Sequence, residues 1–112
     1  MSIALTGATG FVGKAVLDEA VRREEPLRAL TRRTQGPRAH VDWIEGDLSN
    51  PAALANLCHQ ADAVIHVAGL TNTPNPGQFE VANVGGTARL IAAAKQAQAK
   101  RFIFVSSLSA RE

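Results

Sequence analysis

The sequence predicts a doubly wound parallel α/β sheet of five strands in the order 3-2-1-4-5, joined by right-handed crossovers. Three observations carry this. Short apolar runs alternate along the chain with segments of helical periodicity. Ala63–Val67 reads as one apolar run, as in a strand covered on both faces. The first apolar run ends in a glycine-rich turn that opens into a helix.

Ile3–Thr6 is the first strand. Val12, Val16, Leu17, Ala20 and Val21 recur at helical spacing, which predicts a helix from about Phe11 to Glu24, stopped by Pro26. Leu27–Thr31 is the second strand, followed by a loop at Gln35, Gly36 and Pro37. Val41–Glu45 is the third. Asn50 before Pro51 is a good N-cap and first helical residue, and Leu54, Leu57, Cys58 and Ala61 share one face of a short helix. Ala63–Val67 follows as the fourth strand, then a loop at Thr71–Gly77 rich in Pro and Asn. Asn75 and Pro76 resemble a capped helix start. Phe79, Asn83, Gly86, Leu90, Ala93 and Ala97 trace a stripe down a long helix, and Arg101–Ser106 is the fifth strand.

At 112 residues, 46% hydrophobic and 20% charged, the chain has room for one domain with one core. A net charge of +2 is too weak to argue for nucleic acid. One cysteine permits neither an internal disulfide nor a cysteine-based metal site, so no metal is expected and a reducing cytoplasm fits. No apolar run approaches the roughly 18 residues that span a membrane. The start has neither a basic n-region nor a long apolar h-region, so no signal peptide is expected. There is no tyrosine, so no phenol in this chain can move a proton.

Gly7, Ala8, Thr9, Gly10, Phe11, Val12 and Gly13 join the first strand to the first helix. Gly7 supplies the residue without Cβ that a tight strand-to-helix turn needs. Gly10 would let a pyrophosphate approach the backbone, and Gly13 would let helix and strand pack closely. The helix N-terminus offers unpaired N–H groups and a positive dipole end to phosphates. A glycine triplet alone is weak, but a strand before it and a helix after it make nucleotide binding the expectation.

The spacing Gly-x-x-Gly-x-x-Gly resembles that of the short-chain dehydrogenase/reductase superfamily, in its extended or atypical, NAD-dependent epimerase/dehydratase-like branch. The resemblance also rests on Gly46, Asp47 and Leu48, on Asp62–Gly69, on Asn83–Thr87 and on Phe102–Ser107. It implies a Rossmann-type fold, incomplete at the C-terminus, that binds NADP(H) or NAD(H). It implies that Asp47 accepts from the adenine amino group while Leu48 packs on the ring. A helix-capping role for Asp47 is compatible with this. It implies that Val67, Ala68 and Gly69 lie along the adenine and ribose side of the cofactor, and that Asn83 braces the backbone beneath the nicotinamide end. Gly86, one turn later, is expected to allow close helix–sheet contact.

Arg32 and Arg33 follow the second strand, where such folds choose between cofactors, and no acid is read there. Two guanidiniums suit a 2′-phosphate and favour NADP(H), the alternative being a solvated basic loop. His66 is tempting as a base, but its place inside an apolar strand favours a packed, hydrogen-bonded core histidine. Cys58 reads as a packing residue.

The resemblance makes Ser107 the catalytic serine that hydrogen-bonds the reacting substrate oxygen, with a Tyr-x-x-x-Lys that transfers the proton. That motif is absent from this chain; its presence roughly 20–40 residues beyond Glu112 would favour an enzyme, and a stop codon or changed motif there a non-catalytic module. Two functions compete. One is the cofactor-binding part of an oxidoreductase or epimerase/dehydratase acting on a small-molecule substrate of undetermined class. The other is a non-catalytic NADPH-binding or sensor module. The 112 residues alone are expected to be inactive. An uncovered fifth strand, with Phe102, Ile103, Phe104 and Val105, is expected to invite self-association.

Overall fold

The computed structural model describes residues 2–8, 10–68 and 76–106, with the backbone alone at 68, 76–84 and 106. The elements are β1 (Ile3–Thr6), α1 (Phe11–Arg22), β2 (Leu27–Thr31), β3 (Val41–Glu45), α2 (Pro51–Cys58), β4 (Ala63–Ala68), α3 (Pro76–Gln96) and β5 (Arg101–Ser106). They build one sheet in the order β3-β2-β1-β4-β5. Every strand pair in it is parallel. The predicted order and direction therefore hold.

Alternation along the strands divides the core into two layers. Ala4, Leu30, Ile44 and Val64 face α2 and α3, against Leu54, Leu57, Cys58, Leu90 and Ala94. Leu5, Leu27, Ala29 and Val67 face α1, against Leu17 and Ala20. Burial pushes the Cys58 thiol up to about 11, so it packs as an inert apolar group. β5 forms one edge of the sheet, where Ile103 is 43% and Phe104 50% exposed.

Three boundaries differ from expectation for local reasons. β4 runs one residue further, to Ala68. α2 ends at Cys58, and Ala61 joins the same core only after a turn closed by its N–H on the Cys58 carbonyl. α1 stops at Arg22 because Glu24 adopts a left-handed φ of 58°. The Glu25 N–H then reaches the Ala20 carbonyl and the Glu24 N–H that of Val21, a Schellman termination. α3 ends the same way, with Gln98 at φ 60° and the Ala99 N–H on the Ala94 carbonyl. Glycine fits such positions without Cβ strain. Glu24→Gly and Gln98→Gly are each expected to stabilise the fold by about 0.5–1 kcal/mol, net of the added chain entropy. Urea unfolding checks this, and a loss of stability in both variants would contradict it.

Asp62 ties the N-terminal ends of the strands together. Its carboxylate accepts from the Ser2 N–H at 2.9 Å, and its carbonyl accepts from Lys100 and Arg101 at 2.9 and 3.2 Å. The C-terminal ends of β1, β2, β3 and β4 gather at the opposite edge, where open α/β sheets bind ligands.

Candidate functional site

The turn after β1 separates the three glycines by what demands them. Gly7 has φ 75°, and a Cβ on it would lie 2.6 Å from the Val67 carbonyl oxygen. A Cβ on Gly13 would lie 1.6 Å from the Gly7 oxygen. Both positions are closed to any side chain. Gly10 differs. Its backbone is extended, at φ −82° and ψ 176°, and a Cβ there would meet only the Gly7 oxygen, at an ordinary 3.6 Å. Nothing among the described residues requires glycine at this position.

The Gly10 N–H closes the turn on the Gly7 carbonyl at 3.1 Å, and the first helical bond runs from the Lys14 N–H to the Gly10 carbonyl at 2.8 Å. The amides of Phe11, Val12 and Gly13 thus precede the ladder of α1, and no side chain caps them. A bare surface at Gly10 beside uncapped amides suits a pyrophosphate. Ala8 is buried and Val12 packs half-buried on the α1 core, so both can offer a ligand little beyond backbone. Phe11 stands 93% exposed at the mouth of the turn. Thr9 lies outside the described residues.

Asp47 is exposed beyond β3. One carboxylate oxygen accepts from the Ser49 N–H at 2.8 Å and from the Ser49 hydroxyl. Helix α2 is capped by Asn50, whose side chain accepts from the Ala53 N–H at 3.2 Å. The helix-cap alternative for Asp47 is thereby removed: it closes the turn ahead of the cap. Its second oxygen has no partner among the described residues. The Ser49 bonds, and then the charges of Arg32 and Arg89, hold its carboxyl below the usual range. It is therefore ionised near neutral pH, an acceptor for an exocyclic amine.

Leu48 is half-buried, and it is this residue that Gly86 accommodates. A Cβ on Gly86 would lie 2.9 Å from Leu48 Cβ and Cδ1. The expected close approach of α3 at Gly86 is thus made to the β3–α2 loop rather than to the sheet. Arg89, unremarked in the sequence, donates from Nε to the Leu48 carbonyl at 2.6 Å.

Arg32 and Arg33 are exposed, and neither guanidinium pairs with a carboxylate among the described residues. The Thr31 hydroxyl donates to the Arg33 carbonyl at 2.8 Å, turning the chain immediately after β2. The expectation that no acid borders this loop is corrected. Parallel register sets Glu45 beside Thr31, and the Thr34 hydroxyl donates to the Glu45 carboxylate at 2.8 Å. The acid comes from the neighbouring strand, where spacing along β2 gives no sign of it.

His66 is buried, as expected of a core histidine. Its Nδ1 lies 2.6 Å from the Thr6 hydroxyl and its Nε2 3.0 Å from that of Thr87. The rings of Phe102 and Phe104 stand 6.5 and 5.5 Å away. Burial lowers its pKa, so the ring is neutral and shares one donor and one acceptor with the two hydroxyls. It joins β1, β4 and α3 rather than facing a ligand. Val67 is likewise a core residue, its carbonyl forming the floor under Gly7. Ala68 ends β4, and both it and Asn83 are described by backbone alone. Gly69 and Ser107 lie outside the described residues.

Among the described residues no three His, Cys, Asp or Glu side chains group to hold a metal ion. No described helix is long and apolar enough to cross a membrane. The site is a bare amide-lined turn, a basic loop and an ionised Asp47, in order across the C-terminal ends of β1, β2 and β3. That order fits an adenine dinucleotide: pyrophosphate at Gly10, adenine at Asp47 and Leu48, and its ribose towards Arg32 and Arg33.

Known proteins share this sequence and fold. The chain is 39% identical to a ceramide reductase of Caulobacter vibrioides, over 98% of this chain and 36% of that protein. It is 30% identical to a UDP-glucose 4-epimerase of Klebsiella pneumoniae, over 96% of this chain and 89% of that sequence. The crystal structure of a short-chain dehydrogenase/reductase superfamily protein from Agrobacterium tumefaciens, with NAD bound, superposes with a TM-score of 0.79 at 29% identity. That superposition covers 93% of this chain and 32% of the other. The chain thus spans about a third of the reductase and of the NAD-bound protein. Residues 3–110 match the family described as NAD dependent epimerase/dehydratase, so the chain belongs to that family, within the short-chain dehydrogenase/reductase superfamily, and carries its nicotinamide-dinucleotide-binding part.

Proposed function

We propose that the chain is the cofactor-binding part of a cytoplasmic oxidoreductase or epimerase/dehydratase that acts on a small-molecule substrate, and that it prefers NADP(H) to NAD(H). The bound nicotinamide would supply the hydride acceptor or donor. This chain's residues bind and orient it: the turn amides at the pyrophosphate, Asp47 and Leu48 at the adenine, and Ser107 at the substrate oxygen. Gly10 is the observation that carries the reading, because it is a glycine that the fold leaves unexplained and a phosphate explains. The one cysteine, free and buried, suits a reducing compartment.

The preference for NADP(H) is supported by Arg32 and Arg33, two exposed guanidiniums at the end of β2. A charge-assisted contact to a 2′-phosphate is worth about 1.5–3 kcal/mol. Arg32→Ala/Arg33→Ala is therefore expected to cost NADPH about tenfold or more in affinity, with NADH little changed. Glu45→Gln is expected to act in the opposite sense, by removing a negative charge from the same loop. Calorimetric titration of both cofactors into wild type and variants reads this. An unchanged NADPH to NADH ratio in the double variant contradicts the role given to the arginines.

A further inference from the structure

We propose that Arg89 is a positioning residue for the adenine end of the site, holding the Asp47–Leu48 loop in place from α3. The proposal rests on the dinucleotide reading above and names what sets one end of that site. Two observations converge on Leu48. Its side chain lies against Gly86, where a Cβ would come within 2.9 Å of two of its atoms. Its carbonyl accepts from Arg89 Nε at 2.6 Å. Gly86 and Arg89 are three residues apart on α3, hence on one face of the helix. One helix therefore holds one loop residue by both its side chain and its backbone.

The contact orders the loop rather than satisfying a buried cation, because Arg89 is exposed. From the other side the loop is closed by its own bonds: the Asn50 N–H on the Asp47 carbonyl at 3.1 Å and the Ser49 N–H on the Asp47 carboxylate at 2.8 Å. Neither fixes the Leu48 carbonyl, which Arg89 does. The guanidinium also stands close enough for its charge to favour ionised Asp47. Arg89 thus acts on both adenine contacts, on Leu48 by a hydrogen bond and on Asp47 by charge. Lysine would keep the charge but lose the Nε–H fork geometry.

The test is titration of ADP and of nicotinamide mononucleotide into the wild-type chain, Arg89→Ala and Arg89→Lys, with amide exchange measured on the same ligand-free proteins. ADP loads the adenine half of the site and the mononucleotide the nicotinamide half. Loss of a charged hydrogen bond is expected to weaken ADP about tenfold in Arg89→Ala and less in Arg89→Lys. The mononucleotide stays within twofold in both. Exchange at the Ser49 and Asn50 amides quickens in Arg89→Ala, and this reads the loop with no ligand present. Unchanged ADP binding and unchanged exchange in the folded variants overturn the proposal, as does an equal loss for the two nucleotides. Should Arg89→Ala fail to fold, Arg89→Lys decides by the same comparison. A wild type that binds neither nucleotide overturns the dinucleotide reading instead, and exchange alone then decides whether Arg89 holds the loop.

Discussion

Gly13→Ala is expected to disrupt the β1–α1 unit and to remove cofactor binding with it. The added Cβ would sit 1.6 Å from the Gly7 carbonyl oxygen and 2.4 Å from its carbon, all of it backbone. Backbone cannot rotate aside as a side chain can, so α1 must move away from the turn. The movement would separate Leu17 and Ala20 from Leu5 and Ala29, the core of that face. It would also break the Gly10 N–H bond to the same Gly7 carbonyl. Overpacking of this kind costs about 3 kcal/mol or more, a large share of a small domain's stability. Thermal unfolding of the variant reads it, and a melt within about 2 °C of wild type would contradict the packing described.

His66→Ala is expected to cost about 3–5 kcal/mol, from a cavity beside Phe102 and Phe104 and from the two threonine hydroxyls it would strand. A second signature separates the imidazole from mere bulk. Burial lowers the pKa of His66 from its ordinary 6.5 in the folded state. The unfolded chain therefore takes up the proton first as pH falls. Stability is full above pH 6.5 and declines below it, by at most about 1.4 kcal/mol per pH unit, until the folded form is protonated as well. The depressed carboxyls of Glu19 and Asp47 act in the same direction but only below their ordinary 4.5 and 3.8. His66→Gln should flatten the decline between pH 6.5 and 5. A wild type equally stable across that range, or a His66→Gln variant that keeps the slope, would contradict the buried neutral ring.

The strand order and the glycine turn were legible because they are local. An apolar run, a turn residue and a helical stripe each lie within a few neighbouring positions. What spacing hides is whatever the sheet assembles from distant segments. Glu45 borders the arginine loop only because β3 pairs with β2 in register. Arg89 reaches a carbonyl 41 residues away, and His66 joins hydroxyls 60 and 21 residues away. Asn50 was legible as the cap of α2, but that Asp47 closes the turn ahead of it, with one oxygen unpartnered among the described residues, shows only in the folded loop. The left-handed Glu24 and Gln98 carry no glycine to announce them, which is why α1 ends at Arg22, two residues short of the expected Glu24.

We take Gly10 to be glycine for a ligand and not for the fold. Titrating NADPH and NADH into wild type and Gly10→Ala, with a thermal melt of each, tests it most directly. A Cβ at Gly10 meets only ordinary contact inside the protein, and the poorer N-cap that alanine makes is offset by the lower chain entropy, so the variant should melt close to the wild-type temperature. The same methyl group would stand where a pyrophosphate must approach the turn amides, so affinity for both cofactors should fall about tenfold or more. Saturable binding by wild type, lost in an equally stable variant, is the result predicted here. Equal binding by the two proteins, or a folded wild type that binds neither cofactor, would contradict it.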